Sequence, residues 1–461
     1  MVVRIRTVVR ISLHLAGSDW AASTTLYHVW AVGCGAPTYA TIAAMRMRLP
    51  VASLAGLLCS GALFLPGVAA AEGTQVHGHA TDPQQCAERY PATRNASNPL
   101  LLPHAPGSDP LTGAHFFVDG PARGAAAGAI AGFLGVDPAS LPLSESWPSF
   151  QQTIETDAAY GKLSDNQGLA YAVAQLAKIA AEPQVQRISS YSDGGGPGAI
   201  FQQTETILCQ NLAADPGSIP ILNTYFLHPV LGGCPTRARL SAAGPAFRRR
   251  VDELAAAVDL RPVVFLLETD ALGSSRCIAR RGSLPGWEAD LRYEVGKLGS
   301  LPHAVTYVEA GYSDSNPVRY TARALNAIGV NRIRGFFTND THENWTINEV
   351  KWATKISKLT HGAHFIVNTA QNGNGPQLNP HPGTEGIADL CNPPGRAIGP
   401  RPTTDTGFAL ADAWLWTSPP GNSSGPCGGG PPGGVFWPAR AVELASLANG
   451  RLGPQYPSAP Y

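Results

Sequence analysis

The sequence predicts an α/β protein built as a distorted (β/α) barrel of about seven parallel strands. Apolar runs of strand length recur through the chain, and helical patterns separate most of them. Strands that alternate with helices form a parallel sheet through right-handed crossovers. The run Arg261–Asp270 has the β-branched and aromatic composition of a strand buried on both faces. It ends in two carboxylates, Glu268 and Asp270, at the strand end where parallel barrels carry their chemistry.

The candidate strands and helices follow each other in order along the chain. The strands are Val185–Tyr191, Ile219–Leu227, Val263–Glu268, Ala304–Ala310, Arg332–Thr338, His364–Thr369 and Ala409–Trp416. The helices are Ala122–Phe133, Asn166–Ala180, Pro245–Val258, Trp287–Leu298, Pro317–Ile328, Asn344–Leu359 and Ala439–Ala448. An open doubly wound sheet is the alternative, but no Gly-x-Gly-x-x-Gly motif follows the first strand, which disfavours a dinucleotide-binding version.

Composition narrows the classes of partner. The chain has 461 residues, 44% of them hydrophobic, which suffices for one large domain or two smaller ones. Lys+Arg and Asp+Glu both number 33, so nothing indicates binding to nucleic acid or to an anionic membrane surface. A chain with no net formal charge suits an uncharged partner such as a sugar.

The N-terminal part has the pattern of an export signal. A short basic region begins at Met45, an apolar region follows, and small residues at 69–71 precede Glu72. We expect residues 1–44 to be an over-extended N-terminus, 45–71 the signal peptide, 72–111 a poorly structured lead-in and 112–461 the barrel domain. A retained membrane anchor is the alternative. After cleavage we expect a secreted protein with no membrane association.

Cysteine usage agrees with export. Of eight cysteines, six follow the cleavage site, and an even number in an exported protein indicates disulfides. No Cys-x-x-Cys motif or Cys/His cluster is present, and four histidines lack ligand spacing: His228, His342, His361 and His364. We therefore expect no metal ion and no cofactor.

Two long irregular segments, 373–406 and 418–434, are rich in Gly and Pro. Structureless loops of this length are usually functional. Cys391 lies in the first and Cys427 in the second, so a bridge between them would clamp both segments over one face of the barrel.

Four motifs carry a resemblance to a known family. Arg334–Asn339 reads Arg-Gly-Phe-Phe-Thr-Asn, and Thr369–Pro376 ends in Asn-Gly-Asn-Gly-Pro. Cys391–Gly399 reads Cys-Asn-Pro-Pro-Gly-Arg-Ala-Ile-Gly, and Asp412–Gly421 combines Asp-Ala, Trp and Pro-Pro-Gly. With these motifs the chain resembles glycoside hydrolase family 6, the cellobiohydrolases and endo-β-1,4-glucanases.

The resemblance implies a tunnel or cleft for a glucan chain and inverting hydrolysis, in which a protonated carboxyl faces the leaving oxygen and a water attacks the opposite sugar face. The family's acid corresponds to Asp270. An apolar wall before it would favour the protonated form that a general acid needs. The resemblance also implies the bridges Cys234–Cys277 and Cys391–Cys427. Cys86 and Cys209 then remain to pair with each other.

The chain departs from the family pattern at several charged positions. Gly233 stands where the family has an Asp that tunes the acid. Ser418, Asn422 and Ser424 replace a Lys, a Glu and the putative base Asp. Tyr312 replaces a His, and Glu309 replaces an Asp. Loss of a base typically costs about 10²–10⁴ in rate. A water-mediated relay or another carboxylate, such as Asp193, Glu309 or Asp314, would compensate for that loss.

The predicted site therefore has a catalytic and a sugar-binding part. The catalytic candidates are Asp270, Glu309 and Asp193. The sugar-binding candidates are Tyr191, Asn339, Trp345, Asn372, Asn374, Trp416, Ser418 and Asn422, with Trp437 as a further aromatic. Aromatic faces with polar edges suit pyranose rings, although ordinary packing is the alternative for each.

We expect a secreted, monomeric hydrolase whose partner is a β-1,4-glucan polysaccharide or oligosaccharide. The alternative is a non-catalytic carbohydrate-binding protein on a degenerate hydrolase scaffold.

Overall fold

The computed structural model describes residues 9–11, 24–29, 40–43, 98–101, 108–119, 124–141, 166–190, 196–215, 217–232, 234–376 and 391–448. The chain divides into two compact units, Met1–Ala70 and Ala71–Tyr461. In the first, three short strands pair antiparallel in the order β1 (Val9–Ile11), β2 (Thr24–Val29), β3 (Ala40–Ala43). The expected signal peptide, 45–71, and residues 72–97 of the lead-in lie outside the described residues.

The second unit contains a seven-stranded sheet. Its strands are β4 (Gln186–Ser189), β5 (Ile221–Tyr225), β6 (Val263–Leu267), β7 (Ala304–Glu309), β8 (Gly335–Thr338), β9 (His364–Asn368) and β10 (Ala411–Leu415). They lie in sequence order, and each pairs in parallel with the next. Each of the candidate strands is present, shortened by a few residues at its ends.

The edge strands approach each other at one end. The Val185 N–H, just before β4, donates to the Trp416 carbonyl just after β10, at 3.2 Å. The sheet thus curls toward closure without a full ladder between its edges. The prediction of a distorted barrel of parallel strands is confirmed.

Helices connect the strands. They are α1 (Ala125–Leu134), α2 (Gln167–Ala180), α3 (Ala199–Ala214), α4 (Leu227–Leu231), α5 (Arg237–Val258), α6 (Ser275–Arg280), α7 (Leu284–Leu298), α8 (Val318–Ile328), α9 (Thr346–Ser357) and α10 (Pro438–Leu447). None of the helices in the described part of the chain is long and apolar enough to cross a membrane.

The helix prediction missed α3 and the short helices α4 and α6, and it shortened α5. The first half of α3 is rich in Gln and Thr, so it lacks a strong helical signal. Pro245 lies inside α5, although a proline usually marks a helix start. The helix instead begins at Arg237, after Thr236, whose hydroxyl accepts the Arg239 N–H.

The core explains why the strand signal was so strong. Along β6, Val263, Phe265 and Leu267 pack in the cluster shared with the helices. Val264 and Leu266 pack in a cluster on the other sheet face, which also holds residues of the segment before α1. All five are fully buried, and burying each such side chain stabilises the fold by about 1.5–3 kcal/mol. Strand β6 therefore fixes the position of the carboxylates that follow it.

Candidate active site

Polar side chains collect at the carboxyl edge of the sheet. Glu268 and Asp270 follow β6, Glu309 ends β7, and Asp340 follows β8 by two residues. Because all seven strands run parallel, these strand ends share one edge. The sequence-predicted acid thus lies among several other carboxyl groups.

Asp270 has a left-handed backbone, with a φ of 62°. This conformation is sparsely populated for residues with a side chain and costs about 1 kcal/mol or more. The side chain is partly exposed. Its Oδ1 accepts hydrogen bonds from the Tyr312 hydroxyl and from the Thr341 hydroxyl, the latter at 2.9 Å. Asp270 is therefore held through one oxygen at the surface of the site.

Tyr312 is positioned by close packing. A Cβ at residue 273 would lie 2.9 Å from the Tyr312 Oη, so Gly273 makes room for the phenol. Tyr312 also contacts His342, and the two rings stack with centroids 3.5 Å apart and planes 10° from parallel. Burial, and then the charge of Asp270, raises the pKa of Tyr312 well above its ordinary value. The phenol therefore stays a proton donor toward Asp270.

Glu309 is fully buried and satisfied by backbone groups. Its Oε2 accepts the N–H groups of Leu272, at 2.7 Å, and Gly273, at 3.1 Å. Its Oε1 accepts the N–H of Gly311. Burial, and next the charge of Asp270, raises its pKa well above the ordinary value. The carboxyl thus ties the end of β7 to the turn that follows Asp270.

The apolar wall expected around Asp270 surrounds Glu268 instead. Glu268 is fully buried, whereas Asp270 is partly exposed. The Glu268 carboxylate accepts the N–H groups of Phe226, at 2.7 Å, and Leu227, at 3.0 Å. Burial raises the pKa of Glu268. The expectation that β6 desolvates Asp270 is therefore wrong, because the chain turns away from the core at residues 268–270.

Asp340 is a buried carboxyl that the sequence analysis did not select. Its side chain is 1% exposed, and its Oδ1 accepts a hydrogen bond from the Thr417 hydroxyl. Its Oδ2 is buried and has no hydrogen-bond partner among the described residues. Burial raises its pKa, the charge of Arg187 opposes that shift, and the charge of Asp270 adds to it.

Arg187 approaches the same region from β4. Its guanidinium lies over the Tyr225 ring, 5.0 Å from the centroid, and its Nη2 donates to the Thr269 hydroxyl at 3.4 Å. Its Nε is buried without a partner in the described part of the chain. This cation thus acts on Asp340 and on Glu268 through its charge.

Asp314 belongs to a separate polar network. Its Oδ1 is 3.1 Å from Nδ1 of His342 and accepts from Nδ2 of Asn344 at 2.6 Å. Burial raises the pKa of Asp314, but the hydrogen bonds from His342 and Asn344 outweigh it, and the net shift is downward. Asp314 therefore holds the His342 ring that stacks on Tyr312.

The predicted sugar-binding residues divide by exposure. Trp345, Ser418 and Asn422 are partly exposed, and Asn374 is exposed. Trp437 is also partly exposed. These side chains are accessible to a ligand. Tyr191 and Asp193 lie outside the described residues, as does Gly233.

Three other candidates are internal. Trp416 is fully buried and donates its Nε1–H to the Pro400 carbonyl, so the prediction that it stacks on a sugar is wrong. Asn339 donates to the carbonyls of Asn344 and Asn368 and is also fully buried. Asn372, 2% exposed, donates to the Asn344 carbonyl and the Thr346 hydroxyl. Both amides hold loops together, because their donors are used within the protein.

Two of the expected disulfides are present. Cys234 pairs with Cys277 and Cys391 with Cys427, with Cα atoms 5.6 and 6.0 Å apart. Asn392 reinforces the second bridge by donating to Ser423 Oγ, at 3.1 Å, and to the Gly425 carbonyl, at 2.8 Å. Residues 391–399 and 417–434 are thus joined into one wall. Cys209 is disulfide-bonded, and Cys86 lies outside the described residues.

Several residues of the site were missed from the sequence. They are Arg187, Asp340, Thr341, His342 and Thr417. Asp340 and Thr341 directly follow the Arg334–Asn339 motif, and that position after a strand was the available signal. Arg187 lay inside a predicted strand, where nothing distinguished it from an ordinary strand residue.

Comparison with known proteins agrees with this geometry. The sequence profile described as Glycosyl hydrolases family 6 matches residues 239–448. Endoglucanase 1 of Streptomyces sp. (strain KSM-9) is 30% identical over 276 residues, which cover 58% of this chain and 70% of that protein. Endoglucanase A of Cellulomonas fimi is 30% identical over 276 residues, 60% of this chain and 57% of that protein.

A third relative, endoglucanase A of Thermobispora bispora, is 31% identical over 59% of this chain and 56% of its own length. The chain thus spans a little over half the length of the two endoglucanase A proteins. Among solved structures, the endoglucanase Cel6 from Mycobacterium tuberculosis superposes with a TM-score of 0.56 at 28% identity. The match covers 74% of this chain and 100% of that one. The expected family resemblance is confirmed.

Proposed function

Because the chain belongs to glycosyl hydrolases family 6, we propose that it is a secreted hydrolase of β-1,4-glucosidic bonds in cellulose or a related β-glucan. The observation that supports this most is the placement of Asp270. It stands at the carboxyl end of β6, with a left-handed backbone and with Oδ1 held by two hydroxyls. Oδ2 is then the oxygen that can face a substrate.

In the proposed inverting reaction, Asp270 donates its proton to the leaving glycosidic oxygen while a water attacks the anomeric carbon from the other face. Tyr312 and Thr341 fix the carboxyl, so less rotational freedom is lost when substrate binds. A base then accepts the proton of the water. Among the catalytic carboxylates predicted from the sequence, Asp193 is our candidate for that base, because both oxygens of Glu309 are occupied by backbone N–H groups.

Glu309 then acts as a positioning residue. It accepts the N–H groups of Leu272 and Gly273, which immediately follow the turn of Asp270. Its fixed carboxyl defines where that turn lies relative to β7. Substitution of Glu309 would therefore disturb the acid indirectly, through the backbone.

The substrate class follows from the relatives and the accessible side chains. Three relatives are endoglucanases by name, and the Mycobacterium tuberculosis enzyme was solved with methyl-cellobiosyl-4-deoxy-4-thio-β-D-cellobioside. The partly exposed Trp345 can stack on a sugar ring, and the exposed Asn374 can bond a hydroxyl. We propose that a glucan chain binds along these residues and the wall formed by 391–399 and 417–434.

A non-catalytic glucan-binding protein is the second candidate. Tyr312 and Thr341 hold one oxygen of Asp270, and a carboxyl fixed in this way can accept a hydrogen bond from a sugar hydroxyl without transferring a proton. Ser418, Asn422 and Ser424 also leave no carboxylate between 418 and 424. Both features suit binding without turnover.

Reducing-sugar release from soluble β-glucans separates the two functions. The wild-type protein should release sugar, and Asp270→Asn should lose release while keeping affinity for cello-oligosaccharides in calorimetry. Asp405→Asn, at an exposed carboxyl, is the matched control. If wild type and Asp270→Asn both bind and neither shows turnover from pH 4 to 8, the binding protein is the correct function.

Secretion has its own test. Export from a start at Met45 or Met47 should yield a mature N-terminus near Glu72. Mass spectrometry of the protein in the culture medium would detect it, and peptides from residues 1–44 in that material would contradict the proposal.

A further inference from the structure

Arginines are concentrated on two stretches of a chain whose net formal charge is zero. Residues 234–250 contain five arginines and residues 271–287 contain three, and neither stretch contains an Asp, a Glu or a Lys. The first stretch comes after β5 and holds the start of α5, and the second comes after β6 and holds the start of α7. Both therefore begin at the carboxyl edge of the sheet, the edge that carries Asp270.

The two stretches are joined in space. Cys234 is disulfide-bonded to Cys277, with Cα atoms 5.6 Å apart, and the Ser283 hydroxyl donates to the Pro235 carbonyl at 2.8 Å. Four exposed arginines of these stretches form no ion pair among the described residues, and they are Arg237, Arg276, Arg280 and Arg281. Their charge is thus gathered around the disulfide, on one part of the surface.

A groove between helices α5 and α7 opens beside these arginines. Its volume is about 520 Å³, within the range of roughly 300–1,000 Å³ found for sites that hold a small ligand. Gly286 lets the helices approach each other, because a Cβ at residue 286 would lie 2.9 Å from Cδ2 of Leu240. None of the described residues that line the groove is aromatic, so it does not offer a stacking surface. The lining includes Arg237, Ser241, Gly244, Arg248, Gly282 and Asp290.

The groove keeps an excess of positive charge. Asp290, which is 4% exposed, accepts hydrogen bonds from Nε of Arg248 at 3.3 Å and from its Nη2 at 3.2 Å. This carboxylate therefore neutralises Arg248. Glu288 of α7 interacts electrostatically with an arginine of its own helix. The charges of Arg237 in the lining and of Arg281 beside it remain without a carboxylate partner in the described part of the chain.

We propose that this groove and the arginines at its edge bind a carboxylate-bearing polysaccharide, a chain that contains uronic acids. A guanidinium presents paired N–H donors that match the two oxygens of a carboxylate. A single sugar chain fits a groove of this size, whereas a DNA duplex or a bilayer does not. The choice of a polysaccharide rests on the proposed function, since an acidic polysaccharide mixed with β-glucan would hold the hydrolase beside its substrate.

Binding to polygalacturonate, a soluble chain of uronic acids, tests this site. Biolayer interferometry on the immobilised polymer should show binding of the wild-type protein, and added salt should weaken it because exposed ion pairs are screened. The groove variant Arg237→Gln, Arg281→Gln removes two charges and keeps polar side chains of similar length. Its dissociation constant should rise about tenfold.

The double variant Arg319→Gln, Arg323→Gln is the matched control. It removes two charges from exposed arginines of α8, and its dissociation constant should change by less than about twofold. Equal weakening in the two double variants would show that only the net charge matters, and would overturn the proposal. Absence of binding by the wild-type protein would overturn it as well. So would tighter binding of duplex DNA or of phosphatidylglycerol vesicles than of polygalacturonate.

Hydrolysis supplies a separate measurement. Carboxymethylcellulose and hydroxyethylcellulose share the β-1,4-glucan backbone and differ in the charge of their substituents. In the groove variant, KM for carboxymethylcellulose should rise about tenfold, while KM for hydroxyethylcellulose and kcat on both polymers should not change. An equal rise of KM on the two polymers would contradict a site for carboxylates.

The two proposals can fail independently, because polygalacturonate is not a β-1,4-glucan. Selective loss of polygalacturonate binding in the groove variant of an inactive protein would refute only the proposed hydrolysis. An active hydrolase whose groove variant binds polygalacturonate as the wild-type protein does would refute only the carboxylate site.

Discussion

The Tyr312 hydroxyl donates a hydrogen bond to Oδ1 of Asp270, across the space between the ends of β7 and β6. The same hydroxyl lies 2.7 Å from Oγ1 of Thr341, which also donates to Oδ1. Residues that follow three strands, β6, β7 and β8, thus meet at one carboxylate oxygen. Because Oδ1 is occupied twice, the orientation of Asp270 depends on where Tyr312 stands.

Tyr312→Phe should therefore impair the chemistry more than binding. The ring would keep its stacking on His342 and lose only the hydroxyl that orients Asp270. We expect kcat to fall about 10–10²-fold, the range that misplaced catalytic groups produce, with KM roughly unchanged. Steady-state kinetics on a soluble β-glucan measures both constants.

Tyr293→Phe is the matched control for this substitution. The Tyr293 hydroxyl donates to Asp252 at 2.8 Å, between helices α7 and α5. Tyr293→Phe therefore removes the same kind of hydrogen bond, but at a position away from the strand ends. Equal losses of kcat in the two variants would show that the Tyr312 hydroxyl has no special role toward Asp270.

Gly273→Ala should reach the same interaction through packing. A Cβ at residue 273 would lie 2.9 Å from Oη and 3.0 Å from Cε2 of Tyr312, so the phenol must move. We expect a loss of kcat similar to that of Tyr312→Phe. The kcat of the double variant Gly273→Ala, Tyr312→Phe should be no lower than that of the less active single variant, because both substitutions disrupt the same interaction. Additive losses in a double-mutant cycle would contradict this coupling.

The fold was predictable because its signal is spread over many residues. The central strands of the seven-stranded sheet are buried on both faces, as β6 shows with Val263–Leu267, so the apolar runs stand out in the sequence. The alternation of those runs with helices implies the parallel order. Helix α3 was missed because its polar first half gives no clear periodicity, although tertiary packing buries Ile200, Ile207 and Leu208.

The site was only partly predictable, because its geometry depends on where short loops turn. Asp270 and Glu309 were found from their motifs, but the sequence did not show that Glu268, and not Asp270, would be desolvated. Trp416 has the aromatic ring expected of a residue that stacks on a sugar, but it is fully buried. Asp340 is one residue beyond a motif and becomes notable only because the fold brings it near Asp270 and Arg187.

The bridge Cys391–Cys427 should stabilise the wall beside the site. It closes a sequence separation of 36 residues, and loss of such a bridge typically costs about 2–4 kcal/mol. The double variant Cys391→Ser, Cys427→Ser should therefore unfold at lower denaturant and bind cello-oligosaccharides more weakly. Removing the Cys234–Cys277 bridge, with a separation of 43, should lower stability by a similar amount. Free thiols at Cys391 and Cys427 under non-reducing conditions would contradict the joined wall.

Glu343 gives the stability of the protein a distinct dependence on pH. It is 5% exposed, and its Oε2 has no hydrogen-bond partner in the described residues. Burial raises its pKa from 4.5 to about 7, although the charges of His342, Arg440 and Arg396 oppose that shift. The folded protein therefore binds this proton more tightly than the unfolded chain does.

The sign of the effect follows from proton linkage. Between pH 4.5 and about 7 the folded state holds the Glu343 proton that the unfolded state has lost, so stability falls as pH rises through this window. A shift of this size corresponds to about 3 kcal/mol.

Glu343→Gln mimics the protonated form, so it should be more stable than wild type at pH 7.5 and nearly equal to it at pH 4.5. Urea unfolding at both pH values measures the difference, with Asp405→Asn, at an exposed carboxyl, as the control. A stability gain that is the same at both pH values would show that it does not come from the Glu343 proton. A loss at pH 7.5 would mean that Arg440 and Arg396 hold Glu343 ionised in the folded protein.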